Sequence, residues 1–278
     1  MNELINRDAK KIVTKLSNNL EALILVGSYS REEEIEGLSD IEFWAVVKDL
    51  TKANKPSLDN KVSLGFTTRR HLEHLKAYIY TLEVKKYGKV VYGDKNILNL
   101  IPDYSFGDIA PIDGFILLNN RMMEQLILLN KIEDNQPIKQ YDFDKGYIQL
   151  VNSLLVLKKQ YKGLYPEKLE TFRKIYTDDA LLSRVELAFV SLDELARTLI
   201  NKENALKKWI ELREYFRKVY LDGVETLGGF RCWMKLLGTG KLMRLFIYRE
   251  AATLYFSQGY LDRKKRDSVI NQWEKFVK

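Results

Sequence analysis

The sequence predicts an α/β domain followed by an all-helical one. Three observations carry this. Short β-like apolar runs, bounded by glycine or polar turns, occupy the first hundred residues: "ALILVG" (22–27), "DIEFWAVV" (40–47), "KVSLGF" (61–66) and "KVVYG" (89–93). From about Ile112 the apolar residues recur at helical spacing. Between the two textures lies "EDNQPIKQYD" (133–142), polar and holding Pro137, which marks a boundary. The predicted domains are 1–135 and 136–278.

Taken in order, residues 3–19 place Leu4, Ile5, Ile12, Val13 and Leu16 on one helical stripe. "ALILVG" is a short strand ended by Gly27. "SREEEIEG" is polar and helix-prone, and Gly37 can end it. "DIEFWAVV" alternates and then runs apolar, as a half-buried to buried strand does. "TRRHLEHLKA" (68–77) reads as a helix. "YIYTLEVKKYG" (78–88) alternates, with Tyr80, Leu82 and Val84 on one face and Thr81, Glu83 and Lys85 on the other, so a strand is predicted there. "PIDGFILLNNRMMEQLILLN" (111–130) is an apolar helix whose Asn119, Asn120 and Arg121 need partners. They read first as a buried polar network, with a link between the domains as the alternative. Further on, Ile148, Val151, Leu154 and Leu155 share a stripe. So do Leu181, Val185, Ala188, Leu192, Leu195 and Leu199. Helices are predicted again over 203–221 and 264–277.

Composition narrows the classes. The chain has 278 residues, 46% of them apolar, with 15 Gly and 5 Pro, which excludes fibrous and linker-like proteins. No apolar run approaches the roughly 18 residues of a membrane span. "MNELINRDAKK" has no apolar core, so no secretory signal is expected. The single cysteine, Cys232, excludes an internal disulfide, and a reducing, cytoplasmic setting is expected. The net charge of +7 is uneven. Residues 1–140 hold 19 Lys and Arg against 20 Asp and Glu, whereas residues 141–278 hold 26 against 18. The basic half either attracts an anionic partner or carries lysine-covered, solvated helix faces. "RKKR" (263–266) is read as a basic helix start on such a face. His71 and His74, three apart on a predicted helix, have no further Cys or His nearby to complete a metal site. Trp44, Trp209, Trp233 and Trp273 are assigned to the core by default.

The chemistry concentrates in residues 23–47. A glycine at a strand end lets backbone approach a bulky ligand closely. Ser28 adds a hydroxyl, and a helix starting near Tyr29 or Ser30 would point free amides at the same place, a cradle suited to phosphate. Asp40 and Glu42, two apart on a strand, project from one face. Two carboxylates there repel each other unless a cation lies between them, and oxygen ligands beside a phosphate cradle suit Mg²⁺. Glu83, between Leu82 and Val84, is the natural third carboxylate of a two-metal site.

These residues resemble the DNA polymerase β-like nucleotidyltransferase superfamily. The pattern runs through "GS" (27–28), "DIEF" (40–43) and "LEV" (82–84), over about residues 20–93. The two-domain layout is similar to the small-molecule and antibiotic nucleotidyltransferases. The resemblance implies a short mixed sheet flanked by helices, and a helical-bundle C-terminal domain. It implies that Gly27 and Ser28 hold the β- and γ-phosphates of an NTP, with Arg31 beside them. It implies that Asp40 and Glu42 bind two Mg²⁺ ions, Mn²⁺ being able to replace them. Glu83 then binds the metal that activates the acceptor and helps remove its proton. In similar two-domain transferases a lysine on the first helix of the C-terminal half contacts the triphosphate; Lys145 and Lys158 lie there, with Lys145 the candidate and a surface lysine the alternative. The implied reaction moves an NMP to a hydroxyl of a small molecule or protein, releasing pyrophosphate. The alternatives are an RNA 3′-end nucleotidyltransferase, or a degenerate nucleotide-binding protein such as one component of a toxin–antitoxin pair. Two departures stand out. Many relatives continue with Arg-Gly, whereas here Arg31 is followed by Glu32, Glu33 and Glu34, and the second metal ligand is Glu42 instead of Asp.

Overall fold

The structure is a computed structural model and describes residues 3–35, 37–190, 195–228 and 242–277. Cys232 and Trp233 lie outside the described residues, as does Leu192. The chain forms two compact units, 1–109 and 110–278.

The first unit is a four-stranded mixed sheet with helices on its faces. Its elements are α1 (Glu3–Leu16), β1 (Leu20–Val26), α2 (Ser28–Arg31), β2 (Ile41–Val47), β3 (Val62–Thr67), α3 (Arg69–Glu73), α4 (Ile79–Tyr87) and β4 (Lys89–Gly93). The strand order is β3-β2-β1-β4. β1 pairs antiparallel with β2 and with β4, while β2 pairs parallel with β3. Period-two alternation sends successive side chains of each strand to opposite faces of the sheet. Leu23, Leu25, Phe43, Ala45 and Val47 pack with Ile5, Ile12 and Leu16 of α1. Ala22, Ile24, Val26 and Val46 pack on the other side with Leu72 of α3 and Val84 of α4. Both faces of β1 and the C-terminal end of β2 are therefore buried, which explains why these segments read as near-continuous apolar runs.

Residues 78–88 correct the sequence reading: they form helix α4, not a strand. Thr81, Leu82 and Val84 are its buried residues. A run this short satisfies both periods, and the sheet decides between them. β4 already occupies the edge of β1, while β2 holds the other edge, so no ladder position beside β1 remains for 78–88. "SREEEIEG" also shortens, to the single turn of α2 followed by a loop.

The second unit is mostly helical: α5 (Pro111–Glu133), α6 (Gln140–Leu157), α7 (Tyr165–Ile175), α8 (Asp179–Val190), α9 (Lys202–Thr226), α10 (Leu242–Phe256) and α11 (Arg263–Val277). Ile138–Lys139 and Leu199–Ile200 add a two-residue antiparallel pair. α5 packs against α6, α9, α10 and α11. The two units consequently divide ahead of α5, at 109/110, where the sequence reading sets the boundary behind it, at 135/136. The polar stretch at 133–142 is a helix–helix connection inside this unit. The stripe begun by Leu181, Val185 and Ala188 is buried as expected. Leu195 and Leu199, placed on the same stripe, are exposed.

The polar residues of α5 find partners. Asn119 Nδ2 donates to the Phe115 carbonyl (2.7 Å). Asn120 Oδ1 accepts from the Tyr248 hydroxyl (2.5 Å) and from Trp273 Nε1 (3.2 Å). Trp209, fully buried, donates through Nε1 to the Gln125 carbonyl (2.8 Å). Trp44 and Trp273 are half-buried.

"RKKR" is corrected as well. Arg266 is fully buried, not solvated. Its Nε donates to Asn130 Oδ1 (2.9 Å), and its other nitrogens reach the Tyr260 carbonyl and the Glu133 carboxylate. Arg263 pairs with Asp134. These contacts tie α11 to the end of α5. Arg266→Ala should therefore cost about 3 kcal/mol, at the low end for a broken buried pair because Glu133 keeps some solvent. A urea unfolding curve with unchanged slope and a lower midpoint would show it; an unchanged midpoint contradicts it.

Candidate active site

The site residues of the first unit gather where β1 ends and β2 begins. The β1–β2 register pairs Val26 with Glu42. That sets the next residue, Gly27, beside the Glu42 side chain. Gly27 has φ +72° and ψ −153°, a region open essentially to glycine alone. A Cβ built on it would lie 2.1 Å from Glu42 Oε2. Glycine is thus required twice, for its torsion angles and for the carboxylate against its Cα.

Ser28 opens α2, and Ser30 Oγ donates to the Gly27 carbonyl (2.8 Å), closing the elbow. The chain leaves this turn through Glu32, which adopts left-handed torsion angles (φ +61°), and the Glu33 amide donates to the Ser28 carbonyl (3.1 Å). The turn brings Glu33 back onto Arg31. Arg31 Nε donates to Glu33 Oε2 (2.8 Å), and Nη1 donates to Glu83 Oε2 (2.9 Å). All three side chains are largely buried, at 9%, 8% and 14% exposure for Arg31, Glu33 and Glu83.

The three glutamates after Arg31 thus meet three different environments. Glu32 faces solvent and pairs with Lys89 (2.6 Å), whose ammonium lowers its pKa. Glu33 is paired with Arg31. Glu34 is half-buried, and its Oε2 has no hydrogen-bond partner. They do not act as one block of repelling charge.

Asp40 is exposed and stands immediately before β2; Glu42 is half-buried within it. By strand alternation Glu42 shares a face with Trp44, and Asp40 directly precedes the strand. Trp44 meets Tyr80 of α4 edge-on, with ring centroids 4.9 Å apart. Tyr80 lies one helical turn before Glu83, so the pair faces β2 together. Tyr80 is 38% exposed as a whole residue, but desolvation of its hydroxyl raises its pKa above the ordinary value, and the Glu42 and Glu83 carboxylates add to that. Tyr80 therefore stays a protonated donor at neutral pH. The sequence reading misses Tyr80 and Glu33. Tyr80 becomes visible once 78–88 is read with helical period, and Glu33 only once the left-handed turn at Glu32 is known.

The expected set of three carboxylates does not form as drawn. Among the described residues, no group of three or more Asp, Glu, His or Cys side chains is spaced to hold a metal ion. Glu83 comes from a helix instead of a strand, and its carboxylate is engaged by Arg31. Asp40 and Glu42 do fit a Mg²⁺ ion bound in the common way, by one or two carboxylates with phosphate oxygens and water completing the shell. His71 and His74 are exposed, and His74 Nδ1 contacts the Arg70 carbonyl (2.7 Å).

Lys145 lies in the second unit, exposed on α6. It lines a cavity of about 190 Å³ between α5 and α6, with Arg121, Glu124, Gln125, Lys131 and Asp142. Arg121 pairs with Glu124 there, and the buried Gln125 Oε1 has no hydrogen-bond partner. Lys158, at the end of the same helix, pairs with Asp222 (2.7 Å).

No family model and no curated protein matches the chain. Among solved structures it is similar to spectinomycin adenyltransferase AAD(9) from Enterococcus faecialis, crystallised with ATP and spectinomycin. The identity is 18%, the likeness covers 77% of this chain and 98% of that one, and the TM-score is 0.48. No helix among the described residues is long and apolar enough to cross a membrane.

Proposed function

We propose that the chain is a Mg²⁺-dependent nucleotidyltransferase. It moves an NMP from an NTP to a hydroxyl of a small-molecule or protein acceptor and releases pyrophosphate. The observation that carries this reading is the contact between the Gly27 backbone and the Glu42 carboxylate. It puts a bare backbone elbow, able to approach phosphates closely, directly against the acid-x-acid strand that can hold their metal.

Gly27 and Ser28 cradle the β- and γ-phosphates, and Arg31 supplies a cation one turn further on. Asp40 and Glu42 hold Mg²⁺, or Mn²⁺ in its place. When bound, the metal neutralises phosphate charge and polarises the α-phosphate and the attacking hydroxyl. Glu83 accepts the acceptor's proton as its oxygen bonds to the α-phosphorus and the bond to the β-phosphate breaks. Tyr80 remains protonated and offers a hydrogen-bond donor beside the two glutamates. The side chains need little covalent chemistry of their own, since positioning and charge stabilisation supply most of the rate in phosphoryl transfer. Lys145 has surroundings of its own in the second unit and is not included in this set.

The testing experiment incubates the full chain with each of the four α-labelled NTPs and a cell extract, with Mg²⁺ or with EDTA. Metal-dependent label on a small molecule or protein supports the reading, and the labelled species identifies the acceptor class. Label on RNA ends selects the RNA alternative. Nucleotide binding without transfer to any acceptor selects the degenerate, nucleotide-sensing alternative. Label transfer undiminished in EDTA removes the metal mechanism.

A further inference from the structure

The Arg31 ion pairs call for an explanation beyond packing. Two carboxylates share one guanidinium at 8–14% exposure, 2.8 and 2.9 Å away. Withdrawing three charges from water is expensive, and buried ion pairs of this kind are poor sources of stability. The loop also holds Glu32, a non-glycine residue, in left-handed torsion angles to bring Glu33 back. That conformation carries a cost of its own. The cluster sits where charge matters most. Arg31 is the last residue of the turn that Ser28 begins, within one turn of the Gly27 elbow. Glu83 shares a helix face with Tyr80, whose hydroxyl feels both Glu83 and Glu42.

We propose that Glu33, Arg31 and Glu83 form a phosphate-operated latch, a proposal that rests on the nucleotidyltransferase reading. In the structure Arg31 pairs with Glu83 through Nη1 (2.9 Å). Glu33 holds the Nε edge of the guanidinium as a pivot. The triphosphate of an incoming nucleotide draws Nη1 away from Glu83, taking the guanidinium off that carboxylate as it accepts the acceptor's proton. Guanidinium suits this exchange because its planar fork keeps one edge bound while the other changes partner. Glu33 is a positioning residue in this scheme: it acts through Arg31. The latch also gives the acidic run after the elbow a use, since its second glutamate is the pivot. It couples release of the proton acceptor to arrival of the nucleotide.

The test is calorimetric titration of the full chain with ATP in EDTA, so that metal ligation by Glu83 plays no part. It compares wild type, Glu83→Gln, Arg31→Gln, the double variant and Glu33→Gln, each checked for an unchanged far-ultraviolet spectrum. Removing the competitor for Arg31 should tighten ATP binding about fivefold in Glu83→Gln. In the Arg31→Gln background the same substitution should change affinity by less than about twofold. Glu33→Gln should weaken binding about threefold, because the pivot is lost. An equal gain in both backgrounds would mean simple removal of negative charge and would overturn the latch. No gain in Glu83→Gln would overturn it too. Either result, with ATP bound by wild type, leaves the nucleotide reading standing. A folded wild type that binds none of the four NTPs, in EDTA or with Mg²⁺, removes both.

Discussion

Asp40→Ala is expected to abolish nucleotidyl transfer and to leave the protein folded. The two halves of this expectation have separate grounds. Asp40 is exposed and precedes β2, outside both buried clusters of the sheet. Substitutions at such positions change stability by roughly 0.5 kcal/mol or less. Its proposed role, by contrast, is to hold the ion that neutralises the transferring phosphate. Loss of a group that stabilises developing charge costs on the order of a hundred- to a thousandfold in rate. Loss of the metal itself should exceed that. Transfer of label from α-labelled NTP should fall at least about a thousandfold, equivalent to about 4 kcal/mol of barrier. The thermal midpoint should move by no more than about 2 °C. Asp40→Asn, which keeps the shape and removes the charge, should behave the same way. Activity near wild type in either variant would mean that the acid-x-acid strand does not hold the catalytic ion.

Gly27→Ala should damage stability and activity together. The torsion angles at Gly27 are costly for any residue with a Cβ, by about 1–3 kcal/mol. The added methyl would also meet the Glu42 carboxylate at 2.1 Å. The obstructing atom is the end of a flexible side chain, so the fold can yield by swinging Glu42 away. That movement takes a proposed metal ligand out of place. Stability should therefore drop by about 2 kcal/mol, while transfer falls by roughly a hundredfold or more. Urea unfolding and the label-transfer assay measure the two effects on one preparation. A variant with wild-type stability and activity would show that neither the backbone angles nor the Glu42 contact matters.

Much of this architecture was legible before the structure. The four strands fall where glycine- and turn-bounded apolar runs place them. Long periodic segments such as 111–130, 203–221 and 264–277 are helices, the second running on to Thr226. The misreadings have a common cause. Residues 78–88 satisfy both a strand and a helix pattern, and the occupied edges of β1 decide between them. The basic run 263–266 looks solvated by composition, yet Arg266 is buried because α5 offers Asn130 and Glu133 across the unit. The polar stretch at 133–142 resembles a linker, but α5 ahead of it packs on the helices that follow. In each case the deciding contact lies far away in sequence.

The candidate site divides along the same line. The sequence by itself nominates the elbow and the first two carboxylates of the proposed site: Gly27, Ser28, Asp40 and Glu42. Their relation is local, because an antiparallel pair with Val26 opposite Glu42 brings strand end and strand start together. Only the tertiary structure decided what surrounds them. Glu83 arrives on a helix, paired with an arginine 52 residues away. Glu33 folds back through a left-handed turn, and Tyr80 of α4 meets Trp44 of β2. Spacing along a strand can place two charges on one face, but which charge pairs with which depends on packing between elements that no local pattern encodes.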